Sequence, residues 1–132
     1  MHLFWDTSAV VPLIFQEPHT ERAHQALAQG QLAFAWSWMR IEAEAALLRR
    51  RAGSEHWREL NELLSAFIWL VMNPSEESAL CQLNRPLGLR ALDAGHLYVC
   101  SRAMAADPAI QLVSFDHEIQ SAAMACSLPL WT

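Results

Sequence analysis

Short apolar runs alternate with helical stretches along almost the whole chain, and this alternation restricts the fold more than any other feature. The runs are Leu3–Trp5, Leu32–Trp36, Phe67–Met72 and Ile110–Phe115, and residues with helical spacing follow each of them. Strands that alternate with helices form a parallel sheet covered on both faces. The sequence therefore predicts an α/β fold with a central parallel sheet.

The remaining elements fit the same plan. Leu128–Trp131 predicts a fifth strand at the sheet edge, where a proline is tolerated, so the sheet should have four to five strands. A length of 132 residues suits a single domain, residues 1–132. Ser8 and Ser37 are the expected helix N-caps. The predicted helices cover Thr7–Phe15, His19–Gln29, Trp38–Ala52, Glu55–Ser65, Ser75–Leu83, Arg90–Ala105 and the residues from Asp116 to Cys126.

The composition indicates a globular protein, because 53% of the residues are apolar and only 17% are charged. Six tryptophans are many for this length, and they lie either in the core or on a surface that faces a partner. Cys81, Cys100 and Cys126 show no paired metal spacing and are expected to be buried thiols in a reducing compartment. We expect no signal peptide and no membrane span, hence a cytoplasmic protein.

Three of the four aspartates fall where a parallel α/β sheet places its ligands. Asp6 is expected to end the first strand directly and Asp116 to end the fourth directly, while Asp93 lies in the first turn of a helix. Ligands of such sheets bind at the carboxyl ends of the strands, which the fold brings together. Each aspartate alone could equally be a helix cap. Asp107, next to Pro108, is expected to be a turn residue.

A cluster of carboxylates predicts a cation, because like charges repel unless a positive charge lies among them. Hard oxygen ligands suit Mg²⁺ or Mn²⁺, and the usual task of such a site is hydrolysis of a phosphoryl ester. The net charge of −5 argues against broad electrostatic binding to nucleic acid. It still permits a nuclease whose acidic site attracts phosphate once metal is bound.

Four segments resemble, in order, the motifs of PIN domains, and the closest group is the VapC-like toxins of type II toxin–antitoxin systems. Each motif is weak alone, but together they span nearly the whole chain. The segments are Asp6–Val11, Ser37–Glu42 followed by Ala45–Arg50, Arg90–Leu97, and Leu112–Asp116 with Ser114 where threonine is common.

This resemblance implies a PIN-like three-layer α/β/α fold and a Mg²⁺-dependent endoribonuclease. The implied catalytic residues are Asp6, Glu42, Asp93 and Asp116, of which Asp6, Asp93 and Asp116 would bind the metal. It also implies an RNA substrate, a homodimer and a cognate antitoxin partner.

The choice of Glu42 over Glu44 depends on helix geometry. Two residues apart on a helix means about 200° of rotation, so the two side chains cannot share a face. Ile41, Ala45 and Leu48 flank the side of Glu42. We therefore expect Glu42 to point inward and Glu44 to be solvated.

Other polar residues have two possible roles each. Ser8 and Ser114 could orient the neighbouring aspartates, or they could cap a helix and hydrogen-bond at a strand end, and the two roles are compatible. His96 could contact substrate or partner, although a structural role is favoured. The basic run Arg49–Arg51 could bind RNA phosphate or an antitoxin carboxylate, or it could simply complement the helix dipole, which is slightly favoured.

Two competing functions are weighed against the nuclease. The chain contains no lysine, which a phosphotransfer receiver domain requires in its site. The same absence argues against a haloacid-dehalogenase-like phosphatase, which also needs an aspartate where Ser8 stands. The other alternative is a catalytically inactive PIN-like module that binds RNA or protein. Such modules often lose one or more of the acids, whereas all four are present here.

Overall fold

Four parallel strands form the central sheet of this computed structural model, which describes residues 1–132. Strands β1 (His2–Trp5), β2 (Leu32–Trp36), β3 (Ile68–Leu70) and β4 (Ile110–Val113) lie in the order β3-β2-β1-β4. Phe4 on β1 is in register with Phe34 on β2 and with Leu112 on β4. The predicted α/β fold with a central parallel sheet is therefore confirmed.

Seven α-helices connect and cover the strands. None of these helices combines the length and the apolar character that a membrane crossing requires. A short 3₁₀ turn, Pro74–Glu76, precedes α5. The helices are α1 (Thr7–Ile14), α2 (Thr20–Gln29), α3 (Trp38–Arg49), α4 (Ser54–Ser65), α5 (Glu77–Asn84), α6 (Ala91–Ala106) and α7 (His117–Ala125).

The core is divided by the sheet into two clusters, because successive strand residues point to opposite faces. Leu3 and Trp5 pack in the cluster that includes residues of α1, α3 and α4. Phe4, between them, packs in the other cluster with residues of α6 and α7. This alternation on β1 produces the three-layer α/β/α arrangement, with one layer of helices against each face of the sheet.

Several predicted boundaries are wrong. The fifth strand is reduced to one bridge between Leu130 and Leu112. Helix α3 ends at Arg49, because Arg51 adopts a left-handed conformation (φ 52°) and Ala52 donates back to the Leu47 carbonyl, the hydrogen bond of a Schellman motif. The left-handed turn at Arg51 therefore ends this helix at Arg49, three residues before the expected end at Ala52.

The N-cap and cysteine predictions also need correction. Ser37 occupies the N-cap position of α3 as predicted, but its side chain makes no capping hydrogen bond. Ser8 is not an N-cap, because α1 begins at Thr7 with Asp6 in the N-cap position. Of the three cysteines only Cys100 is buried, whereas Cys81 is exposed.

Candidate active site

The structure brings the four predicted carboxylates to one cavity at the carboxyl edge of the sheet. Asp6 follows β1, Glu42 comes from α3, Asp93 lies in the first turn of α6, and Asp116 precedes α7. All four line a cavity of about 180 Å³, together with Thr7, Ser8, His96 and Ile119. Parallel strands place the residues that follow them at the same edge, which explains this convergence.

Asp6 is the most deeply buried of the four acids, with 1% of its surface exposed. Its Oδ1 accepts a hydrogen bond from Ser8 and its Oδ2 accepts one from Ser114, both at 2.6 Å. Burial raises the pKa of Asp6, whereas the charge of His96 and the hydrogen bonds from the two serines oppose this effect, and the charge of Asp116 adds to it. Ser8 and Ser114 therefore orient Asp6, one of the two roles predicted for them.

The same serines join the ends of β1 and β4. The Ser8 hydroxyl accepts a hydrogen bond from the backbone N–H of Phe115 at 2.9 Å. The Ser114 hydroxyl accepts one from the backbone N–H of Asp116 at 3.2 Å. The position of Asp6 is thus coupled through these hydroxyls to the loop that carries Asp116.

Asp116 serves as a helix cap while still lining the cavity. Its Oδ1 accepts hydrogen bonds from the backbone N–H groups of Glu118 and Ile119, at 2.9 and 3.0 Å. Its Oδ2 accepts no protein hydrogen bond. The strand β4 ends at Val113, so the expectation that Asp116 directly ends the fourth strand is wrong. The capping interpretation is correct for one of its oxygens, and the other is free for a ligand.

Asp93 is half-buried and neither of its carboxylate oxygens takes part in a protein hydrogen bond or ion pair. It does not cap α6. Burial raises the pKa of Asp93, and the charges of Asp116 and Glu42 raise it further, although the charges of His96 and Arg90 oppose this. A half-buried carboxylate that faces two other acids without a donor is a position where a cation would bind favourably.

Glu42 lines the cavity and Glu44 does not, as expected from the sequence. The prediction that apolar residues beside Glu42 mark the inward face of α3 is wrong, however, because Ile41 and Leu48 are 54% and 67% exposed. The buried positions of α3 are Met39, Ala43, Ala46 and Leu47. Glu44 is half-buried rather than solvated.

The Glu42 carboxylate is held by residues from two other helices. Its Oε1 accepts a hydrogen bond from Thr7 at 2.9 Å and also contacts His96 Nε2. Burial alone would raise the pKa of Glu42, but the hydrogen bond from His96, the charge of His96 and the hydrogen bond from Thr7 together outweigh it and lower the pKa. The contact with His96 was not expected from the sequence, since it joins residues 54 positions apart on different helices.

The donor atoms match a hard divalent cation in kind, because they are carboxylate oxygens without cysteine. Asp93, Asp116 Oδ2 and Glu42 Oε2 are free of protein hydrogen bonds. No three acidic, histidine or cysteine side chains are arranged closely enough here to hold one ion. The set of ligands predicted at Asp6, Asp93 and Asp116 is therefore not preformed, and binding would require the side chains to move closer together.

A larger groove of about 670 Å³ adjoins the acidic cavity and shares Thr7, Ser8 and Glu42 with it. It follows α3 as far as Arg49 and Arg50. Its other lining residues are Val11, Glu17, His19, Trp38, Ile41, Ala45, Ala46, Leu92 and Phe115.

Residues 3–124, most of the chain, match the profile of the PIN domain family. The chain belongs to the PIN domain family. A crystal structure of PAE2754 from Pyrobaculum aerophilum shares its fold at a TM-score of 0.62 and 21% sequence identity, over 92% of this chain and 84% of that one. No curated protein matches the sequence significantly. PIN domains are generally nucleases that bind divalent metal ions, so this PIN domain indicates a nuclease.

Proposed function

We propose that this PIN domain is a Mg²⁺-dependent endoribonuclease that hydrolyses RNA phosphodiester bonds. The observation that carries the proposal is the convergence of Asp6, Glu42, Asp93 and Asp116 on one cavity. Asp93 has no donor there, and its raised pKa reflects burial beside other acids. Such an arrangement costs free energy unless a cation neutralises it. Mn²⁺ would suit the same oxygen ligands.

Each acid has a distinct task in this proposal. Asp6, Asp93 and Asp116 would hold the ion, with Asp6 fixed by its two serines. When bound, the ion supplies the positive charge that attracts the scissile phosphate and stabilises the charge that develops on it. Glu42 is kept ionised by its lowered pKa, and its free Oε2 can accept a hydrogen bond from the attacking water.

The wider biological proposal is a cytoplasmic toxin that is inhibited by a cognate antitoxin. The groove beside the acids supports it, because Trp38, Ile41 and Leu92 line this groove and are 45%, 54% and 38% exposed. Exposed apolar surface of this kind suits an apolar partner segment, for example an amphipathic helix. An arginine of the antitoxin could pair with the carboxylates and block the site.

A homodimer is proposed on similar grounds. Strand β3 lies at an edge of the sheet, and Ile68 on it and Val71 just after it are 42% and 62% exposed. Apolar side chains at an open sheet edge favour association with another chain. Sedimentation at high micromolar concentration tests this, and a strictly monomeric protein would contradict it.

The alternative is a PIN-like module that binds RNA or protein without cutting it. The observation that favours it is that no three potential ligands are close enough to hold one ion. A labelled single-stranded RNA incubated with the purified protein distinguishes the two. Cleavage with Mg²⁺ that stops in EDTA supports the nuclease, whereas retention of intact RNA with Mg²⁺ present supports the binding module.

A further inference from the structure

The carboxylate of Glu42 is held asymmetrically. Both of its protein donors, Thr7 Oγ1 and His96 Nε2, contact the same oxygen, Oε1. The second oxygen, Oε2, accepts no hydrogen bond from the protein. Because Glu42 lines the acidic cavity, the pair of donors leaves one defined oxygen for a ligand in that cavity. The donors come from α1 and α6, so three helices determine this geometry.

His96 is itself firmly placed. Only 2% of its surface is exposed, and its ring lies against the ring of Trp36 in a T-shaped contact with centroids 5.2 Å apart. Trp36 occupies the space above Gly95, where an added Cβ would overlap the indole ring. A larger residue at position 95 would therefore displace Trp36, and the indole ring of Trp36 would then no longer support His96.

The two ring nitrogens of His96 are not equivalent. Nε2 contacts Glu42, whereas Nδ1 is buried and has no hydrogen-bond partner. A buried N–H without an acceptor costs about 1–3 kcal/mol, so the proton of the neutral ring belongs on Nε2. His96 then donates to Glu42 and to no other group.

We propose that His96 is a positioning residue that, together with Thr7, anchors Glu42 Oε1 and so presents Oε2 to the substrate cavity. Trp36 and Gly95 set the orientation of its ring. The proposal rests on the proposed function in one respect, because it treats Glu42 as part of the catalytic site. It differs from the structural role that the sequence favoured, in which His96 would only fill the core.

The first test compares two replacements of His96 in RNA cleavage. His96→Gln retains a donor near the position of Nε2, whereas His96→Leu retains bulk without a donor. We expect His96→Leu to lower kcat by about 10- to 100-fold, the usual effect of losing a group that orients a ligand of the site. KM should change little, and His96→Gln should recover most of the lost kcat.

The matched control is His56, whose Nδ1 is also buried without a partner and whose ring packs on Phe15, with centroids 4.7 Å apart. His56 lines neither the acidic cavity nor the groove. His56→Leu should leave kcat unchanged. The proposal is overturned if His96→Leu keeps wild-type kcat, or if His96→Gln and His96→Leu lose activity equally.

The second test does not require activity. Two-bond ¹H–¹⁵N NMR spectra of the imidazole groups, recorded without metal, should show His96 as the tautomer protonated on Nε2. The Nε2 proton signal should weaken through faster exchange in Glu42→Ala and persist in Glu44→Ala. A tautomer protonated on Nδ1, or a signal indifferent to Glu42→Ala, overturns the proposal. If the wild type does not cut RNA, the proposed function fails, while these spectra still decide whether His96 anchors Glu42.

Discussion

Asp93→Asn should stabilise the metal-free protein while abolishing cleavage. Asp93 is half-buried, its carboxylate accepts no hydrogen bond from the protein, and it is repelled by Asp116 and Glu42. Two such charges ~5 Å apart cost about 3 kcal/mol at an effective dielectric near 20. Solvent screening at a half-exposed group and partial protonation reduce this to a net gain of about 1 kcal/mol for the neutral amide.

One opposing effect is the loss of a negative charge near the N-terminus of α6, worth about 0.5–1 kcal/mol. It should be at the low end of that range, because Asp93 makes no capping hydrogen bond. Another is the loss of the attraction of this carboxylate to His96 and Arg90. A gain of about 1 kcal/mol corresponds to a rise in Tm of about 3–5 °C for a domain of this size.

The assay is a pair of thermal melts in EDTA at neutral pH, followed by circular dichroism. Asp107→Asn is the matched control, because Asp107 lies outside the cavity and pairs with His2 at 2.5 Å, which lowers its pKa. That variant should be no more stable than the wild type. If Asp93→Asn melts clearly below the wild type, repulsion among the acids is weaker than the helix contribution, and Asp93 serves mainly to stabilise its helix.

Three further results are expected. Because burial raises the pKa of Asp6 and Asp93, these two groups bind protons more tightly in the folded state than in the unfolded state, so their contribution to metal-free stability should fall as pH rises above about 3.8 through the folded pKa values. Urea melts of the wild type and of Asp93→Asn in EDTA check this for Asp93, because the stability of the wild type relative to the variant should fall as pH rises, and a relative rise would contradict it. Mg²⁺ should raise Tm with concentration, and this increase should shrink in Asp93→Asn. Ser114→Ala should lower kcat by about tenfold, since it removes a donor that orients Asp6.

The fold was predictable because its signals are local. The apolar runs that form β1, β2 and β4 lie between clear helical stretches, and a parallel sheet then requires the residues after β1 and β4 to meet at one edge. The strand pattern alone therefore places Asp6 and Asp116 near each other. The fifth strand failed because Leu130 makes a single bridge, which the apolar pattern of a short segment cannot distinguish from a strand.

The details of the site were less predictable because they depend on packing between distant segments. The contact between Glu42 and His96 exists only because α3 and α6 meet at the cavity. The spacing of Asp93 and His96, three residues apart on one helix, was the available signal for His96, but it did not reveal its partner. Asp116 shows that capping and ligand binding are compatible, since its two oxygens can serve different partners.

The rate of RNA cleavage by four variants, Asp6→Asn, Asp93→Asn, Glu42→Gln and Glu44→Gln, at one Mg²⁺ concentration tests the central claim most directly. Asp6→Asn and Asp93→Asn each remove a charge from the acidic cavity. Glu44→Gln changes an acid that lies on the same helix as Glu42 but does not line the cavity. We expect the first two variants to be inactive and Glu44→Gln to retain most of the wild-type rate. Full activity in Asp6→Asn or Asp93→Asn, or an inactive Glu44→Gln beside an active Glu42→Gln, would contradict this assignment of the site.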